Sequence, residues 1–170
     1  MGIVGVSRIG RRVTELLKPF DLTVLAHDPY MDATEAGALG VEKLALDAMI
    51  ARSDVLTLHA PALEATRHMI DARRLALMKD GAALIDHAAQ ERELVSGRIS
   101  AVIDVTEPEV QPASSPLYTL PNVLLTPHIA GAVGNERQRL GSLALGEVER
   151  FVKGLPLEHA VVASTLHFQA

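Results

Sequence analysis

Short runs of apolar residues alternate along this chain with longer amphipathic stretches. The apolar runs are continuous, which is typical of strands buried on both faces of a parallel sheet. They predict strands at 2–6, 22–27, 41–44, 54–59, 82–86, 99–105 and 122–126. The stretches between them predict helices near 9–20, 32–39, 46–50, 67–70, 72–78 and 135–153. We therefore expect a doubly wound α/β fold, with six or seven mostly parallel strands and helices on both faces in three layers.

Two of the predicted helices have apolar residues at helical spacing. In the first helix the predicted stripe comprises Ile9, Val13, Leu16, Leu17 and Phe20. In the last helix it comprises Leu140, Ala144, Val148, Phe151 and Leu155. Gly154 and Pro156 mark the end of that helix. The crossover from 87 to 98 is close to the minimum for a parallel connection and has room for a helix of about two turns.

A glycine turn joins the first strand to the first helix and reads G-x-S-x-x-G from Gly5 to Gly10. Asp28 ends the second strand, 18 residues after Gly10. This order of strand, glycines, helix and acid is typical of a dinucleotide-binding unit, in which the pyrophosphate rests on the helix N-terminus and the acid binds the adenosine ribose. Ser7 replaces the second glycine, and an unrelieved side chain there would cost about 1–3 kcal/mol. The alternative is an α/β turn that binds no ligand.

Composition narrows the function classes. The chain has 170 residues, 48% of them hydrophobic, and a formal net charge of −5. The acidic balance and few aromatic residues argue against a nucleic-acid partner. There is no cysteine, no apolar run of membrane-spanning length and no signal-peptide pattern. We expect a soluble cytoplasmic protein with no membrane partner, and we predict no metal site.

Polar residues follow several of the predicted strands. They are Asp28, His59, Asp86, His87, Asp104 and His128. Because ligands of doubly wound sheets bind outside the carboxyl ends of the strands, these side chains mark the expected site.

Several motifs of this chain occur together in one known family. They are the turn from Gly2 to Gly10 and the segments 26–30, 58–61, 77–82, 104–105 and 124–131. In this order, over roughly residues 1–162, they resemble the cofactor domain of the NAD-dependent D-2-hydroxyacid dehydrogenases. The resemblance implies a Rossmann-type fold and hydride exchange between NAD(H) and the C2 atom of a 2-hydroxy or 2-keto acid.

The resemblance also implies catalytic roles. His128 corresponds to the family's acid or base at the substrate oxygen, and Glu109 to the carboxylate that pairs with it. A carboxylate near an imidazole favours its protonated form and fixes its tautomer, which suits proton exchange near neutral pH. Without the family context, His128 also fits a helix-capping or core histidine.

Cofactor contacts are implied at a larger set of positions. Asp104 would hold the nicotinamide amide, and Arg8 and Ile9 would lie along the pyrophosphate. Asp28 would favour NAD over NADP, because a carboxylate repels the 2′-phosphate. The full predicted set is Gly5, Ser7, Arg8, Ile9, Gly10, Asp28, Pro61, His87, Ala88, Asp104, His128 and Gly131.

Three departures from the family pattern bear on activity. We expect a dinucleotide-binding domain at 1–156 and a C-terminal tail at 157–170, without the family's substrate domain. The family arginine that grips the substrate carboxylate falls on Ala89, and Arg92 is a displaced alternative under a different alignment. Leu63 replaces a threonine that faces the cofactor in the family.

Two functions remain open at this point. The first is an oxidoreductase acting on a small 2-keto or 2-hydroxy acid, impaired in this short form. The second is a non-catalytic dinucleotide-binding module, for redox sensing or scaffolding, or a truncated gene product. Family dimers pair through this domain, so the resemblance also implies a homodimer.

Overall fold

Seven parallel strands form the single sheet of the described part of the chain. The computed structural model describes residues 1–61, 63–86, 91–106 and 108–163, with the backbone alone at 86, 91 and 92. The strands are β1 (Gly2–Val4), β2 (Leu25–His27), β3 (Glu42–Lys43), β4 (Val55–Leu58), β5 (Ala83–Asp86), β6 (Ser100–Ile103) and β7 (Val123–Leu125). Their order is β3-β2-β1-β4-β5-β6-β7. This confirms the doubly wound α/β prediction.

The strand order reverses at β1. Val4 pairs with His27 of β2 on one side and with Leu58 of β4 on the other. The chain therefore leaves β1 at the topological switch point, where doubly wound sheets bind ligands. The glycine turn begins at this point, as the sequence predicted.

The described residues form six α-helices between or after the strands: α1 (Arg8–Leu17), α2 (Ala33–Leu39), α3 (Leu46–Arg52), α4 (Ala72–Leu75), α5 (Glu91–Val95) and α6 (Glu136–Val152). Two 3₁₀ helices are found at Glu64–Thr66 and Pro116–Tyr118. The Asp32 carboxylate caps α2 by accepting from Glu35 N–H, and Gly40 ends that helix with φ of +76°. These are common start and stop signals for helices.

Two apolar clusters cover opposite faces of the sheet. Val4 and Leu25 belong to one, and their chain neighbours Ile3 and Ala26 belong to the other. Alternate residues of a strand point to opposite faces, so the strands pack on both sides where these clusters lie.

One row of apolar side chains on the sheet is only partly covered. Ile85, Val102 and Leu124 are in register on β5, β6 and β7. They are 37%, 37% and 58% exposed. In-register residues of parallel strands share a face, so the three form a continuous apolar row that is open to solvent.

The structure corrects the predicted stripe of α1. Val13 and Leu17 of that stripe are partly buried and pack against the cluster that contains Ile3 and Ala26. Ile9, Leu16 and Phe20 are exposed, and the fully buried residues of α1 are Gly10 and Thr14. The helix approaches β1 so closely that only small side chains fit between them, and the Thr14 hydroxyl donates to the Gly10 carbonyl at 2.8 Å. The helix also ends at Leu17 rather than at Phe20.

Three other predicted helices differ from the structure. The helix predicted at 72–78 ends at Leu75. Residues 67–70 are not helical, because the 3₁₀ turn at Glu64–Thr66 ends there, Arg67 has extended ψ and His68 has φ of +54°. The crossover helix α5 has five residues, about one and a half turns. The start of β2 moves from 22 to Leu25 because the chain from 18 to 24 first turns back to the sheet.

The chain divides into two compact units, Met1–Thr126 and a second that begins at Pro127. The sheet lies in the first. The second contains α6, whose predicted apolar stripe is exposed: Leu140 is 57% and Phe151 75% exposed. Within the described residues, no helix has the length and apolar character needed to cross a bilayer.

Candidate functional site

The carboxyl ends of β1, β2 and β4 meet around the glycine turn. Gly5 N–H donates to the His27 carbonyl at 2.9 Å, and His59 N–H donates to the Val4 carbonyl at 2.7 Å. The hydrogen-bond ladder of the sheet thus continues one residue beyond the ends of β1 and β4. It places Gly5 between His59 and His27, next to Asp28.

Gly5 and Gly10 cannot carry side chains. Gly5 has φ of +83°, and a methyl group there would lie 2.6 Å from the Ala60 nitrogen. A methyl group at Gly10 would lie 2.1 Å from the Gly5 carbonyl oxygen. Both obstacles are backbone atoms that cannot rotate away. The turn therefore packs directly against the loop after β4 and the first turn of α1, and we call this arrangement the glycine cradle.

Ser7, the departure from three glycines, fits the turn without backbone strain. It is the N-cap of α1, its φ of −72° is ordinary for any residue, and its side chain makes no capping bond. Its hydroxyl lies 3.4 Å from the His59 carbonyl, which is long for an O–H···O bond. Arg8 and Ile9, which follow it, are exposed at the helix N-terminus.

Asp28 is tied to the cradle by its own carboxylate. Oδ2 accepts from Val6 N–H at 2.7 Å, and Oδ1 accepts from Tyr30 N–H at 2.8 Å. Sequence reasoning predicted Asp28 but missed the bond to Val6. The carboxylate is half-buried and holds the end of β2 against the turn after β1.

A cavity of about 530 Å³ opens beside this strand end. It is lined by His27, Ala45, Leu46, Asp47, Ala65, Arg67, His68, Met69 and Arg74. His27 Nδ1 lies 3.0 Å from the Leu44 carbonyl, and because a carbonyl only accepts, Nδ1 carries the proton in this contact. Hydrogen bonds from Arg73 and then Arg74 lower the pKa of Asp47 from 3.8 to about 2.

The loop after β4 is fixed by Thr66. Its hydroxyl accepts from Leu63 N–H at 2.9 Å and donates to the Pro61 carbonyl at 2.5 Å. Leu63 has no hydroxyl, unlike the threonine that the family resemblance implies at this position. Thr66 thus fixes the backbone beside the predicted cofactor residue Pro61, and sequence reasoning missed it.

Asp104 and Thr126 lie together at the other side of the same sheet edge. They follow Ile103 of β6 and Leu125 of β7, which are in register. The Thr126 hydroxyl donates to Asp104 Oδ1 at 2.5 Å. The sequence predicted Asp104 as a site residue but gave Thr126 no role.

The remaining predicted residues are divided between the two units or lie outside the described residues. Glu109 is exposed in the first unit, whereas His128 and Gly131 are exposed in the second. The pairing of Glu109 with His128 therefore stays a prediction. His87, Ala88 and Ala89 lie outside the described residues, as does the side chain of Arg92 on α5.

His128 has a backbone conformation uncommon for a non-glycine residue. Its φ is +55°, in the left-handed region. Such residues are a few per cent of non-glycine positions, with histidine among the enriched types. They cluster at active sites and ligand clamps.

A sequence model described as the NAD-binding domain of D-isomer-specific 2-hydroxyacid dehydrogenases matches residues 1–130. A D-3-phosphoglycerate dehydrogenase of Archaeoglobus fulgidus is 32% identical over 94% of this chain and 32% of its own length. A glyoxylate reductase of Aeropyrum pernix is 34% identical over 91% of this chain and 49% of its own length. This chain thus spans about a third to a half of the length of these relatives.

Solved structures give the same result. A D-2-hydroxyisocaproate dehydrogenase matches with a TM-score of 0.80 and 29% identity, over 91% of this chain and 53% of the other. The D-mandelate dehydrogenase of Rhodotorula graminis matches with a TM-score of 0.81 and 28% identity, over 95% of this chain and 50% of the other. The region that the sequence model matches contains the glycine cradle, Asp28 and Asp104. The chain therefore belongs to the D-isomer-specific 2-hydroxyacid dehydrogenase family and is an NAD-binding domain of that family.

Proposed function

We propose that this protein serves hydride transfer between NAD(H) and a 2-hydroxy or 2-keto acid, with the glycine cradle holding the cofactor. The cradle is the observation that carries the proposal. Gly5 and Gly10 allow the turn after β1 to pack backbone against backbone with the loop after β4 and the first turn of α1, at the switch point of the sheet. This packing holds the start of α1 at the carboxyl edge of the sheet, where the free N–H groups of a helix N-terminus fit the pyrophosphate of a dinucleotide.

The chain's own residues supply the remaining cofactor contacts. The pyrophosphate would lie along Ser7, Arg8 and Ile9, where the first N–H groups of a helix have no intrahelical partner. Asp28 would accept from the adenosine ribose. The cavity between His27 and His68 lies beside Asp28 and would hold the adenine. Pro61, His87, Ala88 and Gly131 complete the proposed set.

The nicotinamide end of the cofactor would lie on the side of the cradle opposite Asp28, toward Asp104 at the end of β6. Asp104 would accept a hydrogen bond from the nicotinamide amide. When bound, NAD supplies or accepts the hydride at C2 of the acid.

His128 would move the accompanying proton at the substrate oxygen, as acid in reduction and as base in oxidation. Glu109 would favour its protonated form. The left-handed backbone of His128 supports a functional role, because such conformations persist where the surroundings enforce them.

The anchor for the substrate carboxylate differs from the family pattern. A guanidinium holds a carboxylate through two parallel hydrogen bonds, and alanine at position 89 supplies none. Arg92 is the alternative anchor. Loss of one charged hydrogen-bonding partner costs about 1.5–3 kcal/mol.

We expect turnover by this chain alone to be slow. These residues span a third to a half of the length of the relatives, and by themselves they would orient the substrate and exclude water incompletely. Orientation alone is worth about 7–11 kcal/mol of barrier in the best intramolecular reactions.

The test is NADH oxidation with pyruvate, glyoxylate and hydroxypyruvate, with His128→Ala as the control. We expect rates well below the roughly 10 per second typical of enzymes, and none with the variant. Several turnovers per second that vanish in His128→Ala would contradict the impairment. Equal rates with the variant would contradict the role of His128.

A non-catalytic dinucleotide-binding module is the second candidate, favoured by Ala89. It predicts that the protein binds NADH but does not oxidise it when a 2-keto acid is added.

We further propose that the protein is a cytoplasmic homodimer. The exposed apolar row of Ile85, Val102 and Leu124 supports the dimer, since contiguous exposed apolar surface favours association. A monomer mass in light scattering at micromolar concentration would contradict the dimer.

A further inference from the structure

The bond between Thr126 and Asp104 is set by the strands that precede them. Ile103 and Leu125 are register partners on adjacent parallel strands. Thr126 N–H donates to the Ile103 carbonyl at 3.0 Å, so the ladder continues one residue past β7. This backbone bond fixes the Cα of Thr126 beside Asp104, and both side chains are half-buried at the carboxyl edge of the sheet.

The hydroxyl of Thr126 restricts the carboxylate of Asp104. A hydroxyl that donates to an ionised oxygen makes a charge-assisted bond, which is shorter and stronger than a neutral one. The Thr126 hydroxyl and Asp104 Oδ1 lie in direct hydrogen-bond contact. Threonine is stiff at χ1, whereas the terminal torsion of aspartate is broad. The stiff partner, itself held by the ladder, therefore determines how the carboxylate is turned.

Asp104 lies across the cradle from Asp28. In the sheet, β2 and β6 are separated by β1, β4 and β5, which makes roughly 19 Å at about 4.8 Å per strand. A dinucleotide held by its adenosine at Asp28 and by its pyrophosphate at the cradle extends toward β6. The group that reaches Asp104 is then the one at the opposite end from adenosine.

We propose that Thr126 is a positioning residue for Asp104: it turns the carboxylate to accept a hydrogen bond from the carboxamide of the nicotinamide. This inference rests on the proposed function. A carboxylate accepts several hydrogen bonds at once, so the bond from Thr126 is compatible with one from an amide. Without the hydroxyl the carboxylate loses this restraint, so the nicotinamide end of the cofactor loses affinity while the adenosine end does not.

The experiment compares NAD⁺ with ADP-ribose, which lacks the nicotinamide, by calorimetric titration. Thr126→Val keeps the shape of the side chain and removes the donor, and Thr126→Ser keeps the donor. We expect Thr126→Val to weaken NAD⁺ binding roughly three- to tenfold and to leave ADP-ribose binding unchanged. Thr126→Ser should restore NAD⁺ binding.

Thr119→Val is the matched control, because this exposed threonine bonds only locally to Pro116 within the loop before β7. It should leave both ligands unaffected. Circular dichroism verifies that each variant unfolds cooperatively, and Thr126→Ala replaces Thr126→Val in the same comparison if the latter does not fold.

Different outcomes identify which claim fails. Equal weakening of NAD⁺ and ADP-ribose in Thr126→Val would overturn the positioning role in favour of a structural one. Unchanged NAD⁺ binding would overturn it as well. A wild-type protein that binds neither ligand would instead contradict the proposed function itself.

Discussion

At Asp28, the carboxylate accepts from the N–H groups of Val6 and Tyr30 and is expected to bind the adenosine ribose as well. Its negative charge repels the 2′-phosphate of NADP. We expect the wild-type protein to bind NADH more tightly than NADPH. Asp28→Asn removes the charge and turns one acceptor into a donor. It should therefore weaken NADH binding and reduce the preference for NADH over NADPH about tenfold.

Calorimetric titration with both dinucleotides measures this effect. Asp21→Asn makes the same substitution at an exposed aspartate between α1 and β2 and serves as the control. Tighter binding of NADPH than of NADH by the wild-type protein would contradict the assignment of Asp28.

The residues that could be predicted are those marked by the chain itself. Gly5, Gly10 and Asp28 follow a local pattern, and the structure gives its steric reason. The bonds from Val6 to Asp28 and from Thr126 to Asp104 could not be predicted, because each joins residues 22 apart in sequence on neighbouring strands. They become visible only when the order and register of the strands are known.

Helices α3 and α4 are joined by one ion-pair cluster. Asp47 in the first turn of α3 accepts from Arg73 and Arg74 of α4 at 2.8 Å each. The two helices also share the apolar cluster through Met49 and Leu75. The cluster therefore couples one wall of the cavity to the core.

This cluster predicts a loss of stability in acid. The folded pKa of Asp47, about 2, lies below its ordinary 3.8, so the unfolded chain binds the proton more readily. The contribution is present above pH 3.8 and disappears as the pH falls toward 2. Asp47→Asn should therefore lower the urea midpoint near neutral pH, and the difference from wild type should vanish at about pH 2.

Urea unfolding of wild type, Asp47→Asn and the control Asp21→Asn at about pH 6, 3 and 2 tests this. A difference between wild type and Asp47→Asn that stays constant over the whole range would show that the ion pair is not its source.

Among the elements, strands were predicted more accurately than helical faces. Continuous apolar runs mark the strands directly. The stripe of α1 was right for Val13 and Leu17, which pack against the core, and wrong for Ile9, Leu16 and Phe20. Hydrophobic periodicity does not register that the small residues Gly10 and Thr14 are the ones fully buried. The helix predicted at 67–70 failed because Thr66 makes local bonds that end the turn earlier.

On the scale of the whole molecule, one face of the sheet is covered from β2 across to β6, whereas the opposite face is open along β5, β6 and β7. Val4, Leu56 and Leu84 are at most 1% exposed, whereas Leu124 at the edge is 58% exposed. The sequence could not predict this contrast, since the covered residues and the exposed ones alike belong to continuous apolar runs that predict buried strands. The cradle follows β1, which is covered on both faces, so we expect the dinucleotide site to be rigid even though the sheet is open along β5 to β7.

The most direct test of the account is a calorimetric titration of the protein with NADH. We expect one site per chain in the wild type. Gly10→Ala should lose this binding, because its methyl group would meet the Gly5 carbonyl at 2.1 Å. Gly37→Ala makes the same change within α2, where nothing lies within 4 Å, and it should bind like wild type. Failure of the wild-type protein to bind NADH, or undiminished binding by folded Gly10→Ala, would contradict the claim that the glycine cradle holds the cofactor.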